Sequence, residues 1–145
     1  MEKHVDLLND YMANLFVEMN NLGNMSFNIV GDSFFGLHRK LIEYRQLMDK
    51  MYQRTAKRIK MMDGFPITSL KELENISAIK SMQSRNYTGR QVLDVLENDF
   101  KYLCEYTEDI IGYFCAEKDI YTKLVLEKNL VELKEEYYMI KSSLK

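Results

Sequence analysis

The sequence predicts an all-α protein built from four long amphipathic helices. Over most of the 145 residues, apolar side chains recur at spacings of three and four, which is the period of a helix with one buried face. One proline and six glycines leave no stretch with the composition of a flexible linker. We therefore expect a single domain that covers residues 1–145.

The first helix is predicted from one apolar stripe, whose next step along the chain is Ser26: Val5, Leu8, Met12, Leu15, Met19 and Leu22. Gly31, Asp32 and Ser33 then interrupt the pattern. We expect Asp32 or Ser33 to cap the next helix, because a short oxygen-bearing side chain accepts hydrogen bonds from the free N–H groups of a first turn.

The second helix is predicted from about Phe34 to Met62. Its apolar stripe consists of Leu37, Leu41, Tyr44, Met48, Met51, Thr55, Ile59 and Met62. We expect this helix to end within residues 63–66, because Gly64 readily takes the left-handed conformation and Pro66 cannot continue a helix.

A long connection follows, and residues 68–73 within it predict a capped helix of about two turns. A third long helix is predicted from Thr88, and a fourth follows a tight turn near residues 117–119. The third stripe is Leu93, Leu96, Phe100, Leu103, Thr107, Ile110 and Phe114, and the fourth is Leu126, Leu130, Leu133, Tyr137, Ile140 and Leu144. Four long helices with one lengthy connection indicate a four-helix bundle.

Composition and motifs exclude several classes of function. With 46% apolar and 29% charged residues the chain is too apolar for disorder, and its net charge of −2 is too balanced for a dedicated polyanion binder. No apolar run approaches the roughly 20 residues of a membrane span, and no signal peptide is recognised, so we expect a cytoplasmic protein. Cys104 and Cys115 are expected to be reduced thiols, and no hydrolase or kinase motif is present.

Residues 27–66 carry a more specific pattern. It consists of an aromatic residue at Phe27, then Gly31, the aromatic pair Phe34-Phe35 and Leu37-His38, followed by Ala56 and Arg58 and closed by Pro66. This segment resembles the Dps family of mini-ferritins, and the resemblance extends over nearly the whole chain. It implies a ferritin-like four-helix bundle with a short helix between helices two and three, which assembles into a hollow dodecamer.

The resemblance also implies an iron-oxidising centre shared between two subunits, but most of its ligands are replaced here. Ser26 stands where the family has a histidine, Ile42 and Gln53 replace two acids, and Lys57 replaces a glutamate, so that only His38 remains. An ammonium about 5 Å from Fe(II) would repel it by at most about 7 kcal/mol at an effective dielectric near 20. We therefore expect iron binding or storage with weak or no oxidation at this position, and we do not classify the chain as an enzyme.

Several positions keep two interpretations. His38 is either a metal ligand or a hydrogen-bonded interface residue. Ser26 is expected either to bond back to the carbonyl four residues earlier or to bind an ordered water or the neighbouring subunit. The aromatic residues Phe27, Phe34 and Phe35 and the methionines Met48, Met51, Met61 and Met62 are expected to serve packing rather than cofactor binding.

Two further groups of residues resemble functional positions of the family. Glu117 and Asp119 are candidates for an iron-entry pore, although Lys118 and Lys123 dilute their negative field. We do not expect DNA binding through a Lys-rich tail of the kind that the family uses, since residues 1–145 include none. DNA binding would then depend on Lys80, Arg85 and Arg90, whose weak phosphate contacts a shell could multiply. The alternative function is a shell without oxidase activity that protects DNA or binds another partner.

Overall fold

The computed structural model describes residues 2–145, and within this range it contains five helices and two very short strands. They are α1 (Glu2–Asn28), β1 (Ile29–Val30), α2 (Phe34–Met61), α3 (Leu70–Ile76), β2 (Tyr87–Thr88), α4 (Gly89–Ala116) and α5 (Ile120–Ser143). The four long helices and the short helix between the second and third lie where the sequence predicts them. Among the described helices, none has both the length and the apolar character needed to cross a membrane.

The chain divides into two compact units, of which the first extends to Val92. In this unit α1 and α2 pack along each other, and α3 contacts α1. The predicted stripes form its core, with these side chains at most 3% exposed: Leu8, Met12, Leu15, Leu22, Leu41, Tyr44, Met48, Met51 and Ile59. Thr55 lies on the same stripe and satisfies its buried hydroxyl by donating to the Met51 carbonyl at 2.8 Å.

Asparagines of α1 hold the long connection in place. Asn9 donates to the Phe65 carbonyl and accepts from the Ile67 N–H, and Asn14 accepts from the N–H groups of residues 78 and 79. Asn21 donates to the Lys80 carbonyl and accepts from the Met82 N–H, both at 2.9 Å. Asn24 donates to the carbonyls of residues 82 and 83. Most of the connection is not helix or strand, so its backbone N–H and C=O groups need other partners, and these asparagine side chains supply them.

A two-residue parallel bridge, which the sequence does not predict, joins β1 to β2 through the pairs Ile29–Tyr87 and Val30–Thr88. Beside it, a Cβ on Gly89 would lie 2.8 Å from Cβ and Oγ of Ser33, so a glycine is needed there. Ser33 occupies the N-cap position of α2, but its side chain makes no capping hydrogen bond. Ser33 therefore occupies the predicted cap position, but the predicted hydrogen bond from its side chain is not formed.

The end of α2 also differs from the prediction. Asp63, not Gly64, takes the left-handed conformation, with φ of 61°. The N–H groups of Asp63 and Gly64 donate to the carbonyls of Lys60 and Ile59, which is the Schellman arrangement. Gly64 is needed for another reason, since a Cβ there would lie 2.7 and 2.9 Å from the two methyl groups of Val5.

The second unit comprises residues 93–145, with most of α4 and all of α5. Lys118 takes the left-handed conformation between the helices, with φ of 60°. Asp119 caps α5, because its carboxylate accepts from the Thr122 N–H at 3.1 Å and from the Thr122 hydroxyl at 2.6 Å. Lys134 of α5 forms an ion pair with Glu108 of α4 at 3.3 Å. The buried members of the predicted stripes are Leu96, Phe100, Leu103, Thr107, Ile110, Phe114, Leu126, Leu133 and Ile140.

The packing prediction for the aromatic and methionine residues holds only in part. Met48, Met51 and Met62 are buried, whereas Met61 is about half exposed. Phe27 and Phe35 are 73% and 85% exposed, so neither packs into the core of this chain. Phe34 is half-buried and stacks on His38, with ring centroids 4.9 Å apart.

Candidate functional site

His38 lies near the start of α2, next to the last turn of α1. Its Nδ1 atom is 2.6 Å from the carbonyl oxygen of Ser26, and its ring lies nearly parallel to that of Phe34, at an interplanar angle of 12°. Ser26 is buried, and its hydroxyl donates to the Gly23 carbonyl at 2.7 Å, three residues earlier rather than the four predicted. The structure thus brings Ser26 and His38 together, but through the backbone of Ser26 and not its side chain.

This contact fixes the chemistry of the imidazole. A carbonyl oxygen can only accept, so Nδ1 of His38 carries the proton, and in the neutral ring Nε2 holds the lone pair. A backbone carbonyl that orients a ring through Nδ1–H is also a common support for a histidine that binds a metal through Nε2. His38 therefore has the form of a ligand, with one available nitrogen.

The other substituted positions lie farther along α2. Gln53 is exposed and donates to the Asp49 carboxylate at 2.9 Å, which directs its amide nitrogen along its own helix. Lys57 follows one turn later and is exposed, and Ile42 is 41% exposed one turn after His38. Gln53 is fifteen residues beyond His38 on one helix, or about 22 Å along its axis. One chain therefore does not bring His38 together with Gln53 and Lys57.

The donor set does not fit an iron centre of the carboxylate type. Among residues 2–145, no group of three or more His, Cys, Asp or Glu side chains is placed to hold a metal ion. The nearest acids on α2 have other contacts, since Glu43 pairs with Lys40 at 3.2 Å and Asp49 accepts from Gln53. An imidazole, an amide and an ammonium lack the hard anionic oxygens that favour Fe(II).

The candidate pore residues flank the left-handed Lys118. Asp119 uses both carboxylate oxygens to cap α5, so they are directed toward Thr122. Glu117 is exposed. Desolvation raises the pKa of the Tyr113 hydroxyl, and the negative charge of Glu117 and its hydrogen bond with Tyr113 raise this pKa further. Lys123 lies 3.8 Å from Glu127. Both pore candidates therefore have local contacts around this turn.

The three basic candidates for phosphate binding also have local contacts. Lys80 donates to the Glu74 carbonyl at 2.9 Å, close to a carboxylate that accepts from Ser81. The guanidinium of Arg85 donates to the Asn86 carbonyl and lies 4.2 Å from the centre of the Tyr87 ring. Arg90 is exposed in the first turn of α4. These side chains are exposed, and Lys80 and Arg85 donate to carbonyls of the protein's own backbone.

Comparison with known proteins places the chain in a family. A family model described as a ferritin-like domain matches residues 5–145. The chain belongs to the ferritin-like domain family. Within it the chain is Dps-like: it is 20% identical over 142 residues to the DNA protection during starvation protein of Helicobacter pylori, covering 98% of this chain and 99% of the relative. It is 27% identical over 104 residues to general stress protein 20U of Bacillus subtilis, covering 72% and 71%.

Solved structures agree with this assignment. The Dps structure from Staphylococcus aureus matches with a TM-score of 0.94 and 25% identity, covering 100% of this chain and 97% of that one. The Dps structure from Vibrio cholerae, described as a member of a superfamily of diiron-carboxylate proteins, matches with the same TM-score and identity, covering 99% and 90%. The predicted all-α ferritin-like four-helix bundle, with its short additional helix, is confirmed.

Proposed function

We propose that this Dps-like protein protects against stress as a hollow dodecameric shell that takes up and stores iron, with little or no iron oxidation at the usual inter-subunit position. The assignment to the ferritin-like family and the names of both relatives support the general role. The observation that carries the specific proposal is that His38 is present and oriented by the Ser26 carbonyl, whereas Gln53 and Lys57 stand at the positions of two acids.

Assembly is supported by the surface of the first unit. Three apolar side chains around His38 are exposed: Phe27, Phe35 and Ile42. Burying apolar side chains away from water is favourable, so this exposed group indicates a contact surface. The His38 and Gln53 ends of α2 are about 22 Å apart, so a site that contains both needs two copies, and a two-fold pair with antiparallel α2 helices would bring them together. A second copy would cover these side chains and bring the Lys57 region of one chain toward His38 of the other.

The oligomeric state tests this part directly. Light scattering after size exclusion should give the mass of twelve chains, and Phe35→Asp should shift the protein to smaller species because it places a charge in an apolar contact. Phe65→Asp is a matched control, since Phe65 is also exposed but lies in the connection after α2. A stable monomer for the unmodified protein would contradict shell assembly.

Iron uptake is tested with the purified shell. When iron(II) and peroxide are added, the protein should retain iron in soluble form, and His38→Ala should leave the initial oxidation rate unchanged. The combined variant Ser26→His, Ile42→Asp, Gln53→Asp and Lys57→Glu should gain iron(II) affinity, and adding His38→Ala to it should remove much of that gain. No soluble iron in the unmodified protein contradicts storage, whereas no gain in the combined variant contradicts the placement of the site.

The alternative function is protection of DNA by the shell without iron oxidation, and the name of the Helicobacter pylori relative favours testing it. Lys80, Arg85 and Arg90 are the residues proposed to contact phosphate. A gel shift at low and moderate salt should show binding that Arg85→Ala with Arg90→Ala weakens, because each lost phosphate contact reduces affinity and its salt dependence. Equal mobility of DNA with and without protein at low salt would contradict this function.

A further inference from the structure

A polar pocket of about 270 Å³ lies beside α1 in the first unit, and none of the candidate iron residues lines it. Its walls include Asn20, Gly23 and Phe27 from α1, Arg45 from α2 and Ser84 from the connection. Arg45 is the one charged side chain among the residues that line it. Any ligand of this pocket would therefore meet a positive charge and no negative one.

Arg45 lies against α1 and does not pair with an acid on its own helix. Asp49, four residues later, would be its natural partner on the helix surface, but the Asp49 carboxylate accepts from Gln53 instead. The Arg45 side chain instead lies across α1, where Nε and Cζ are 3.6 and 3.7 Å from the position that a Cβ on Gly23 would occupy. The guanidinium therefore lies at the pocket wall, next to Gly23.

The donors around the pocket divide into two groups. Asn24 donates to the carbonyls of residues 82 and 83 and accepts from Asn28, so its amide is fully used by the fold. By contrast, across the described part of the chain no hydrogen bond or ion pair engages the side chains of Asn20, Arg45 or Ser84. A guanidinium, an amide and a hydroxyl that all offer donors to one space match the acceptors of an oxyanion.

We propose that this pocket binds an oxyanion, either a phosphate or a carboxylate, through Arg45 with support from Asn20 and Ser84. The fork of the guanidinium fits two oxygens of either group, and this is the geometry in which arginine binds most strongly. The oxyanion is either a free ion or an acidic side chain of a second copy of this chain. The site is independent of iron and does not depend on the proposed storage function.

The experiment compares Arg45→Gln with Arg39→Gln in iron-free protein. Both substitutions remove one exposed positive charge from α2, but Arg39 does not line the pocket. Inorganic phosphate is titrated at constant ionic strength and followed by calorimetry, and the association of the chains is measured by sedimentation velocity in chloride buffer. Circular dichroism checks that both variants remain folded.

If the ligand is a free ion, the unmodified protein and Arg39→Gln should bind phosphate saturably, and Arg45→Gln should bind it roughly tenfold more weakly. If the ligand is a carboxylate of a second copy, phosphate should not bind, and Arg45→Gln alone should weaken association of the chains. Phosphate binding that is equal in all three proteins would overturn the proposal. The proposal would also be overturned if phosphate did not bind and the chains of both variants associated as strongly as those of the unmodified protein.

Discussion

The Nδ1 atom of His38 lies 2.6 Å from the carbonyl oxygen of Ser26, so the backbone of one helix sets the tautomer of a side chain on the next. Free imidazole can carry its proton on either nitrogen, but this contact requires the proton on Nδ1. The finding makes the state of His38 a property of the fold, whether or not a metal is bound.

Nitrogen NMR of protein labelled with ¹⁵N-histidine should show a protonated Nδ1 and an unprotonated Nε2 for neutral His38. The chain has two histidines, so His38→Ala identifies the signal. Ser26→Ala should leave the tautomer unchanged, because the acceptor is a backbone oxygen. A proton found on Nε2 would show that the contact does not persist in solution.

Asn21→Leu should lower the free energy of unfolding by about 1–3 kcal/mol, because it leaves the Lys80 carbonyl and the Met82 N–H without their bonds to Asn21. Asn21→Asp should cost at least as much, since its buried carboxylate still accepts from Met82 but carries a charge and faces the Lys80 carbonyl with no hydrogen to donate. Denaturant unfolding measures both values. Asn20→Leu is the control at the neighbouring exposed position, and an equal loss there would contradict the role given to Asn21.

Gly64→Ala should destabilise the protein by about 1–3 kcal/mol, because the added methyl group overlaps with Val5. The double variant Val5→Ala with Gly64→Ala should lose less than the sum of the two single changes. Gly112→Ala is the matched control. It lies within α4 with open space around it, so it should stabilise the protein by about 0.5–1 kcal/mol.

Lys118→Gly should raise the free energy of unfolding by about 0.5–1 kcal/mol, because glycine takes the left-handed conformation without the steric cost that lysine has. The same change at Lys128, an exposed position within α5, should lower it by about 1 kcal/mol. Thermal unfolding compares the two. Equal effects would mean that the residue-118 turn is not left-handed in solution.

Cys115 should react with iodoacetamide much faster than Cys104 in the folded protein. Burial raises the pKa of the Cys104 thiol and covers it, so less thiolate is present than in an ordinary cysteine at the same pH, whereas Cys115 is exposed. Mass spectrometry at pH 8 should find one rapid modification, which Cys115→Ser removes. Rapid labelling of Cys104 in that variant would contradict the burial.

Most of the fold can be predicted from the sequence because the long helices carry regular apolar stripes. The predicted end of α2 at Met62 is one residue from the observed end at Met61. The functions of the asparagines on α1 could not be predicted in this way, since their partners lie 56 to 65 residues away and share no periodic pattern. The β1–β2 bridge joins only two pairs of residues, which is too few to produce a periodic pattern in the sequence.

The candidate site is predictable to a smaller extent. His38 is recognised by its place in a family pattern, but the sequence does not show that Ser26 contacts it, because every residue carries a carbonyl oxygen. The sequence likewise does not show that Asp63, and not Gly64, takes the left-handed conformation after α2. A glycine can be required by its conformation or by a close neighbour, and only the position of Val5 distinguishes these cases.

The hydrogen bonds from the asparagines of α1 affect which substitutions the long connection can tolerate. Nearly all of their bonds to the connection are made to backbone atoms, which every amino acid provides, and proline lacks only the N–H. The path of residues 78–83 is therefore largely independent of the identity of its side chains. New charges or binding groups can be introduced on the outside of this segment, by evolution or by design, while the helices beneath it remain as they are.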